Sequence, residues 1–96
     1  MASFTLEEVE KATGASLLHR GEAAFVEGVS TDTRTISPGE LFIALIGENF
    51  NGHEFLKRAV LSGASAVMIS DASYGEGLDP RVSVFVVKDT KKGLED

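Results

Sequence analysis

Three short apolar blocks dominate the chain after residue 40: LFIALI at 41–46, ASAVMIS at 64–70 and VSVFVVK at 82–88. Each block is too short for a helix of its own and is apolar on both faces, as a strand in the middle of a sheet would be. The segment GHEFLKRAVLSG, between the first two blocks, repeats apolar residues at helical spacing. Strand, helix and strand in this order predict a right-handed, parallel βαβ unit over residues 41–70.

The first third of the chain alternates more irregularly. FTLEEVEKATG predicts a short helix, because Thr5 can cap its start, Glu8 can complete a capping box and Gly14 can end it in the left-handed conformation. SLLHRGEAAFVEGVSTDT predicts either a hairpin or a pair of short strands broken at Gly21. The overall expectation is an α/β fold with a small mixed sheet, one βαβ unit and flanking helices.

The polar segments between these elements carry turn chemistry. In TRTISPGE, Pro38 presets φ at the second position of a turn and Gly39 tolerates the positive φ that follows. GENFNG and DASYGEGLDPR are predicted loops. In the helix after GENFNG, Asn51 is the expected cap, and Gly63 is expected to close it.

Bulk composition narrows the possible functions. A chain of 96 residues is sufficient for one domain, and no stretch approaches the roughly 20 apolar residues of a membrane span. With no cysteine, disulfides and thiolate chemistry are excluded, and the formal charge of −6 argues against a nucleic-acid or anionic-membrane surface. The acidic start lacks the features of a secretory signal, so a soluble, unexported protein without membrane insertion is expected. No nucleophile–base pair or metal-ligand spacing is evident, so catalytic and metal-binding residues are not predicted.

Two polar loops flank the predicted central strand, and ligands in βαβ units sit beyond the carboxyl ends of strands. Residues 47–53 therefore form one candidate wall, where a helix start near Gly52 would suit a phosphate. Residues 31–34 offer two hydroxyls, a carboxylate and a guanidinium. They would form either a phosphate-binding loop or a plain turn in which Asp32 caps the backbone and Arg34 pairs with Asp32 or Glu40.

Other residues also have two interpretations. Asn51 can be a helix cap, a ligand contact or both, and Phe50 can be local packing or a platform for base stacking. His53 can bind a phosphate or simply be solvated, whereas His19 is expected on the surface. From the residues alone these alternatives stay open.

Combined motifs are more specific than any single piece. The run VSTDTRTISPGELFIALIGENFNGHEF, followed by AVLSGASAVMIS, resembles the N-terminal domain of the Mur ligases, the cytoplasmic peptidoglycan-precursor ligases. The shared pattern is D-[ST]-R, P-G-[DE]-L-F-x-A-L, G-x-x-x-[DN]-G-H-x-F and G-A-x-A-V, over roughly residues 29–70. The opening FTLEEVEKATG and the later VVKDT resemble most the last ligase of the series, and the alternative is the sibling that adds the third peptide residue.

The resemblance implies a domain that binds the UDP end of a UDP-N-acetylmuramoyl peptide. The resemblance implies that Thr31 and Thr33 flank the uridine diphosphate, that Arg34 supports their loop and that His53 lies near the diphosphate. The uracil–ribose end would lie against Glu48, Asn49 and Phe50. Asn51 and Gly52 would complete the same wall. Related chains often have lysine where this chain has Ile46, a departure that puts affinity in doubt.

The resemblance also implies a longer parent protein. Residues 1–88 would be the UDP-sugar-binding domain, and residues 89–96 would begin the connection to a central ATPase domain that is absent here, as is a C-terminal domain. No G-x-x-G-K-[ST] phosphate loop occurs in the sequence. ATP and Mg²⁺ are therefore implied for the full-length enzyme only, and this segment alone is not expected to be catalytic. A stand-alone nucleotide-binding or interaction module is the remaining alternative.

Overall fold

The computed structural model describes residues 3–44, 46–47, 50–75 and 77–88, with the backbone alone at 46, 47, 50, 51 and 72. The predicted connection at 89–96 lies outside the described residues. Two α-helices are described, α1 (Leu6–Thr13) and α2 (Leu56–Leu61), with 3₁₀ turns at Gly52–Phe55 and Ala72–Gly75. The described strands are β1 (Phe4–Thr5), β2 (Ser16–His19), β3 (Phe25–Val26), β4 (Val29–Ser30), β5 (Leu41–Ile43), β6 (Ile46–Gly47), β7 (Phe50–Asn51), β8 (Ala66–Ile69) and β9 (Ser83–Val86).

The main sheet has five strands in the order β2-β9-β8-β5-β4. Strands β4, β5, β8 and β9 run parallel, and β2 pairs antiparallel with β9 through a register shift between Leu17 and His19. β5 lies between β4 and β8, and its three residues are buried. The predicted α/β fold with a mixed sheet is confirmed, and so is the parallel pairing of the first two apolar blocks.

The core occupies both faces of this sheet, because successive residues of each buried strand point to opposite sides. On one face, Leu41, Ile43 and Met68 pack with Leu6 and Val9 of α1. On the other face the cluster includes Phe42, Val67, Leu56 and Ala59, the last two from α2. A fully buried side chain such as Phe42 or Phe85 contributes roughly 1.5–3 kcal/mol. One helix on each face therefore holds the parallel strands in register.

Helix α1 forms where its capping residues predict it. The amide of Thr5 donates to Glu8 Oε1 at 2.9 Å, and the amide of Glu8 donates to Thr5 Oγ1 at 3.1 Å. Gly14 ends the helix with φ of 73°, and its N–H donates to the carbonyl of Glu10. The predicted capping box and left-handed end are confirmed.

The turn before β5 is also confirmed. The amide of Glu40 donates to the carbonyl of Ser37 at 3.2 Å, with Pro38 second and Gly39 third in the turn, at φ of 90°. Glu40 Oε1 accepts the Ser37 amide at 2.7 Å, which closes the turn from the side. The turn thereby reverses the direction of the chain immediately before β5.

Residues 16–30 contain short strands that do not form a hairpin with each other. β2 pairs with β9, whereas β3 pairs with β1 in a separate two-stranded sheet. The hairpin alternative was wrong, because each strand finds its partner far along the chain. In the predicted loop 47–52, β6 and β7 form a small antiparallel pair that sequence reasoning did not anticipate.

The helix after this pair begins later than predicted. Residues Gly52–Phe55 form a 3₁₀ turn, and α2 starts at Leu56 with no side-chain cap at Phe55. The prediction of an α-helix start near Gly52 was wrong, so the helix N-terminus expected for a phosphate there does not form. Within the described ranges, no helix has the length and apolar character needed to cross a membrane.

Candidate ligand-binding cleft

A cleft of about 390 Å³ lies between the loop that follows β4 and the beginning of α2. The loop enters it directly from Ser30, the last residue of a parallel strand, so the cleft sits at the carboxyl edge of the sheet. Its lining consists of two hydroxyls, one carboxylate, two guanidinium groups and one aromatic ring: Thr31, Asp32, Thr33, Arg34, Phe55 and Arg58.

The first wall is a turn organised by Asp32. Its amide donates to Ser30 Oγ at 3.2 Å, and Ser30 Oγ donates back to the Asp32 carbonyl at 3.0 Å. Asp32 Oδ1 accepts the backbone amide of Arg34 at 2.8 Å, and the Asp32 carbonyl accepts the amide of Thr35 at 3.2 Å. Aspartate favours this conformation because its short side chain reaches the backbone two residues on. The turn therefore forms from local sequence alone.

Arg34 is tied into the same turn. Its Nη2 donates to Asp32 Oδ2 at 2.7 Å, and its Nε lies 3.1 Å from each carboxylate oxygen. These hydrogen bonds lower the pKa of Asp32 to about 2 and raise the pKa of Arg34. The ion pair with Asp32 that the plain-turn interpretation allowed is confirmed, and Glu40 instead holds the Ser37 amide.

Thr31 and Thr33 stand on the cleft side of this turn and are both half-buried. Neither hydroxyl makes a hydrogen bond to any residue in the described part of the chain. Each can donate one hydrogen bond and accept two. The rigid turn thus presents two hydroxyls to whatever fills the cleft.

The opposite wall comes from Phe55 and Arg58, which are three residues apart and so share one face of the helical segment. Arg58 is exposed and forms no ion pair with any acidic residue that the structure describes. The sequence alone did not single out Arg58 as a site residue. The i, i+3 spacing of the two residues was the available signal, but it became useful only with the position of the β4 loop.

His53 lies at the same edge of the sheet but is buried, with 3% of its surface exposed. Its Nε2 accepts the backbone amide of Ser70 at 3.1 Å, immediately after β8, and its ring lies 4.7 Å from that of Tyr74 at an angle of 42°. Burial lowers the pKa of His53, and the charge of Asp71 partly opposes that shift. The expectation of a solvated ring was wrong, because the imidazole is part of the packed edge and is held neutral.

The structure brings together part of the predicted site. Three of its side chains line the cleft: Thr31, Thr33 and Arg34. Gly52 and His53 are buried and are not among the lining residues. Phe50 and Asn51 are described as backbone in β7, and Glu48 and Asn49 lie outside the described residues. Contacts of the second loop with a ligand therefore stay a prediction.

A second groove, of about 560 Å³, lies near β2, at the edge of the sheet opposite β4. Its lining is mostly apolar: Leu18, His19, Ser73, Gly75, Leu78, Asp79, Pro80 and Val84. Among the described residues, no group of three or more histidine, aspartate or glutamate side chains is placed to hold a metal ion.

Comparisons with known proteins agree with this architecture. The family model described as "Mur ligase family, catalytic domain" matches residues 25–95. The UDP-N-acetylmuramoyl-tripeptide–D-alanyl-D-alanine ligase of Escherichia coli is 36% identical over 91 residues, which cover 95% of this chain and 19% of that protein. The UDP-N-acetylmuramoyl-L-alanyl-D-glutamate–2,6-diaminopimelate ligase of Chlorobaculum tepidum is 34% identical over 96 residues, covering 95% of this chain and 18% of that protein.

A crystal structure of MurF from Acinetobacter baumannii superposes with a TM-score of 0.81 at 24% identity, covering 98% of this chain and 20% of that one. This likeness concerns the fold. The chain spans less than a fifth of the length of the two curated ligases. Because the family model covers most of the sequence, the chain belongs to the Mur ligase family.

Proposed function

We propose that this chain is the substrate-recognition domain of an ATP-dependent ligase that adds D-alanyl-D-alanine to a peptidoglycan precursor. Its cleft would bind the uridine diphosphate part of UDP-N-acetylmuramoyl-tripeptide. The observation that carries the proposal is the pair of hydroxyls of Thr31 and Thr33, which have no hydrogen-bond partner among the described residues. They lie across a cleft from Arg58, at the carboxyl edge of the sheet.

The chemistry of this lining suits a diphosphate. Hydroxyl groups and a guanidinium donate hydrogen bonds to anionic oxygens, and charge-assisted bonds of this kind are stronger than neutral ones. Phe55 adds an apolar surface beside them. We assign Thr31 and Thr33 to the diphosphate and Arg34 to the support of their loop.

The uracil–ribose end is assigned to the second loop. Glu48, Asn49 and Phe50 would lie against it, followed by Asn51 and Gly52. His53 would not contact the ligand directly. Its buried ring accepts the amide of Ser70 after β8 and so fixes the segment that leads into α2. Its part in the proposal is to position the loop near the diphosphate.

The proposal also covers the full-length protein to which this chain would belong. Residues 1–88 would form the UDP-sugar-binding unit, and residues 89–96 would lead into a central domain that binds ATP and Mg²⁺. The proposed compartment is the cytoplasm. The amide bond would be formed by the full-length ligase and not by this segment alone.

A second candidate is the same domain of the ligase that adds the third peptide residue. The chain is 36% identical to a relative of the first kind and 34% identical to one of the second, so sequence identity does not separate the two candidates. Ligation assays on the full-length protein distinguish the two: incorporation of D-alanyl-D-alanine supports the first, and incorporation of diaminopimelate or lysine supports the second. A stand-alone binding module would instead lack a phosphate loop in the coding sequence after Asp96.

The direct test is an NMR titration of the isotope-labelled chain with UDP. Amide shifts are expected at residues 31–34 and 47–53. The affinity should be weak because this domain alone buries only part of the ligand. Thr33→Ala should weaken binding by about 1 kcal/mol, the net value of one hydrogen bond. Ser37→Ala is the matched control, since Ser37 belongs to the same loop but does not line the cleft. Absence of shifts at millimolar UDP, or shifts scattered elsewhere, would overturn the proposal.

A further inference from the structure

The two arginines of the cleft differ in whether their positive charge is already neutralised by an acidic side chain. Arg34 forms a forked ion pair with Asp32, so the formal charges of the pair sum to zero. Arg58 has no acidic partner in the described part of the chain, and its positive charge is uncompensated there. The net charge of the described lining is therefore that of Arg58.

The Asp32–Arg34 pair has a different task, which its geometry defines. Asp32 receives both the backbone amide and the side chain of Arg34, and its own backbone is bonded to Ser30 and Thr35. Thr33 lies between the paired residues. Fixing Asp32 and Arg34 therefore fixes the backbone that carries the Thr33 hydroxyl into the cleft.

We propose that Arg58 is the residue that selects for phosphate charge in this cleft, whereas Asp32 and Arg34 form a positioning pair that contributes no net charge to the ligand. The inference rests on the proposed function and deepens it, because it says which residue recognises the diphosphate of the nucleotide. Arg58 reaches the cleft from α2 and the hydroxyls reach it from the β4 loop, so an anion bound between them joins the two walls.

The test measures the affinity of the chain for UDP at low and at physiological salt, for four variants beside the wild type. Arg58→Gln should weaken binding about tenfold at low salt, because a charge-assisted hydrogen bond is lost. It should also flatten the salt dependence, since the cation that attracts the phosphates is gone. Arg58→Lys should restore the salt dependence while recovering only part of the affinity, because lysine lacks the planar fork.

Two variants are matched controls. Lys57→Gln removes the same charge from the neighbouring position of the same helix, which does not line the cleft, and should change the affinity less than twofold. The double variant Asp32→Asn/Arg34→Gln removes the pair without changing the net charge of the lining. It should weaken binding while leaving the salt dependence as in the wild type, and amide shifts in the free protein should spread through residues 30–36 as the turn loosens.

Each outcome bears on the inference. Equal effects of Arg58→Gln and Lys57→Gln would overturn it and leave the proposed function standing, as would a flattened salt dependence in the double variant Asp32→Asn/Arg34→Gln. Failure of the wild type to bind UDP at millimolar concentration would overturn the proposed function and this inference together. Loss of both affinity and salt dependence in Arg58→Gln alone, with rescue by Arg58→Lys, is the expected result.

Discussion

Two turns of this molecule contain the same Asp-x-Arg arrangement, and they lie in different surroundings. In Asp32–Arg34 and Asp79–Arg81 alike, the Nη2–Oδ2 distance is 2.7 Å, and the arginine amide bonds Oδ1 at 2.8 and 2.9 Å respectively. Both aspartates have their pKa lowered to about 2 by these hydrogen bonds. The arrangement is thus a product of local sequence and is not by itself evidence of a ligand.

The surroundings supply the difference. The first turn carries the Thr31 and Thr33 hydroxyls, which have no hydrogen-bond partner in the described part of the chain, and it lies across the cleft from Arg58. The second turn lies beside an apolar groove with Leu18 and Leu78. The backbone at Arg81 is also tied to another part of the chain, since its carbonyl accepts the amide of Glu22 at 2.9 Å. Function is therefore to be sought in what a turn faces, and the second turn serves as an internal control for the first.

The largest effect is expected from a substitution at Gly21, next to the hydrogen bond between Glu22 and Arg81 that holds the second turn. A Cβ on Gly21 would overlap the carbonyl oxygen of Arg81 and approach the Ser83 nitrogen to 2.7 Å, and both are backbone atoms that cannot move freely. Gly21→Ala should lower the free energy of unfolding by about 3 kcal/mol, measured by urea denaturation. UDP binding by the variant that remains folded should be unchanged.

Gly77→Ala is the control for this change. Gly77 has φ of 78° and open space around it, so the substitution adds only backbone strain of about 1 kcal/mol. A Gly21→Ala variant as stable as Gly77→Ala would show that the second turn is not anchored as described.

An intermediate effect is expected in the pH dependence of stability. His53, at the same edge of the sheet as the first turn, should cause it. Because burial lowers the pKa of His53, its contribution to stability is complete above the ordinary histidine pKa near 6.5 and is lost as pH falls through the lowered value. Between pH 7 and pH 5 the free energy of unfolding should fall by about 1 kcal/mol, as protonation breaks the bond from the Ser70 amide.

His53→Leu should flatten this pH dependence, whereas His19→Gln, at an exposed ring beside the second turn, should leave it intact. The measurement is the urea midpoint at successive pH values. An unchanged slope in His53→Leu would contradict the assignment.

The smallest expected effect compares the two turns directly. Lowered aspartate pKa values stabilise the fold above pH 4, and this stabilisation is lost as pH falls from about 4 to about 2. Asp32→Asn and Asp79→Asn should each reduce that acid dependence slightly and equally, because both pairs are solvent-exposed. A clearly larger change in one variant would show that the two turns are not energetically equivalent.

Local sequence was sufficient for the elements whose causes are local. Thr5 and Glu8 specify the start of α1, and Pro38 with Gly39 specifies the turn before β5, because each device acts within four residues. The apolar blocks likewise predicted three strands of the sheet, β5, β8 and β9, and the parallel arrangement of the first two.

The pairing of distant strands and the second wall of the cleft could not be predicted from local sequence. Nothing near β2 indicates that β9 is its partner, and nothing near Arg58 indicates that the β4 loop lies opposite. The 3₁₀ turn at Gly52–Phe55 also delays the α-helix, which changes which residues face the cleft. The resemblance to a family pointed to Thr31, Thr33 and Arg34, whereas Arg58 emerged only from the three-dimensional arrangement.

The pairing of β2 with β9 also determines when the sheet can be completed. A ribosome produces the chain from its amino terminus, so α1 and β2 emerge early, while the strand that must separate β2 from β8 is made last. Until residues 83–86 leave the exit tunnel, β2 has no neighbour in the main sheet. Closure of the domain is therefore a late, long-range event, of the kind that slows folding relative to local helix formation.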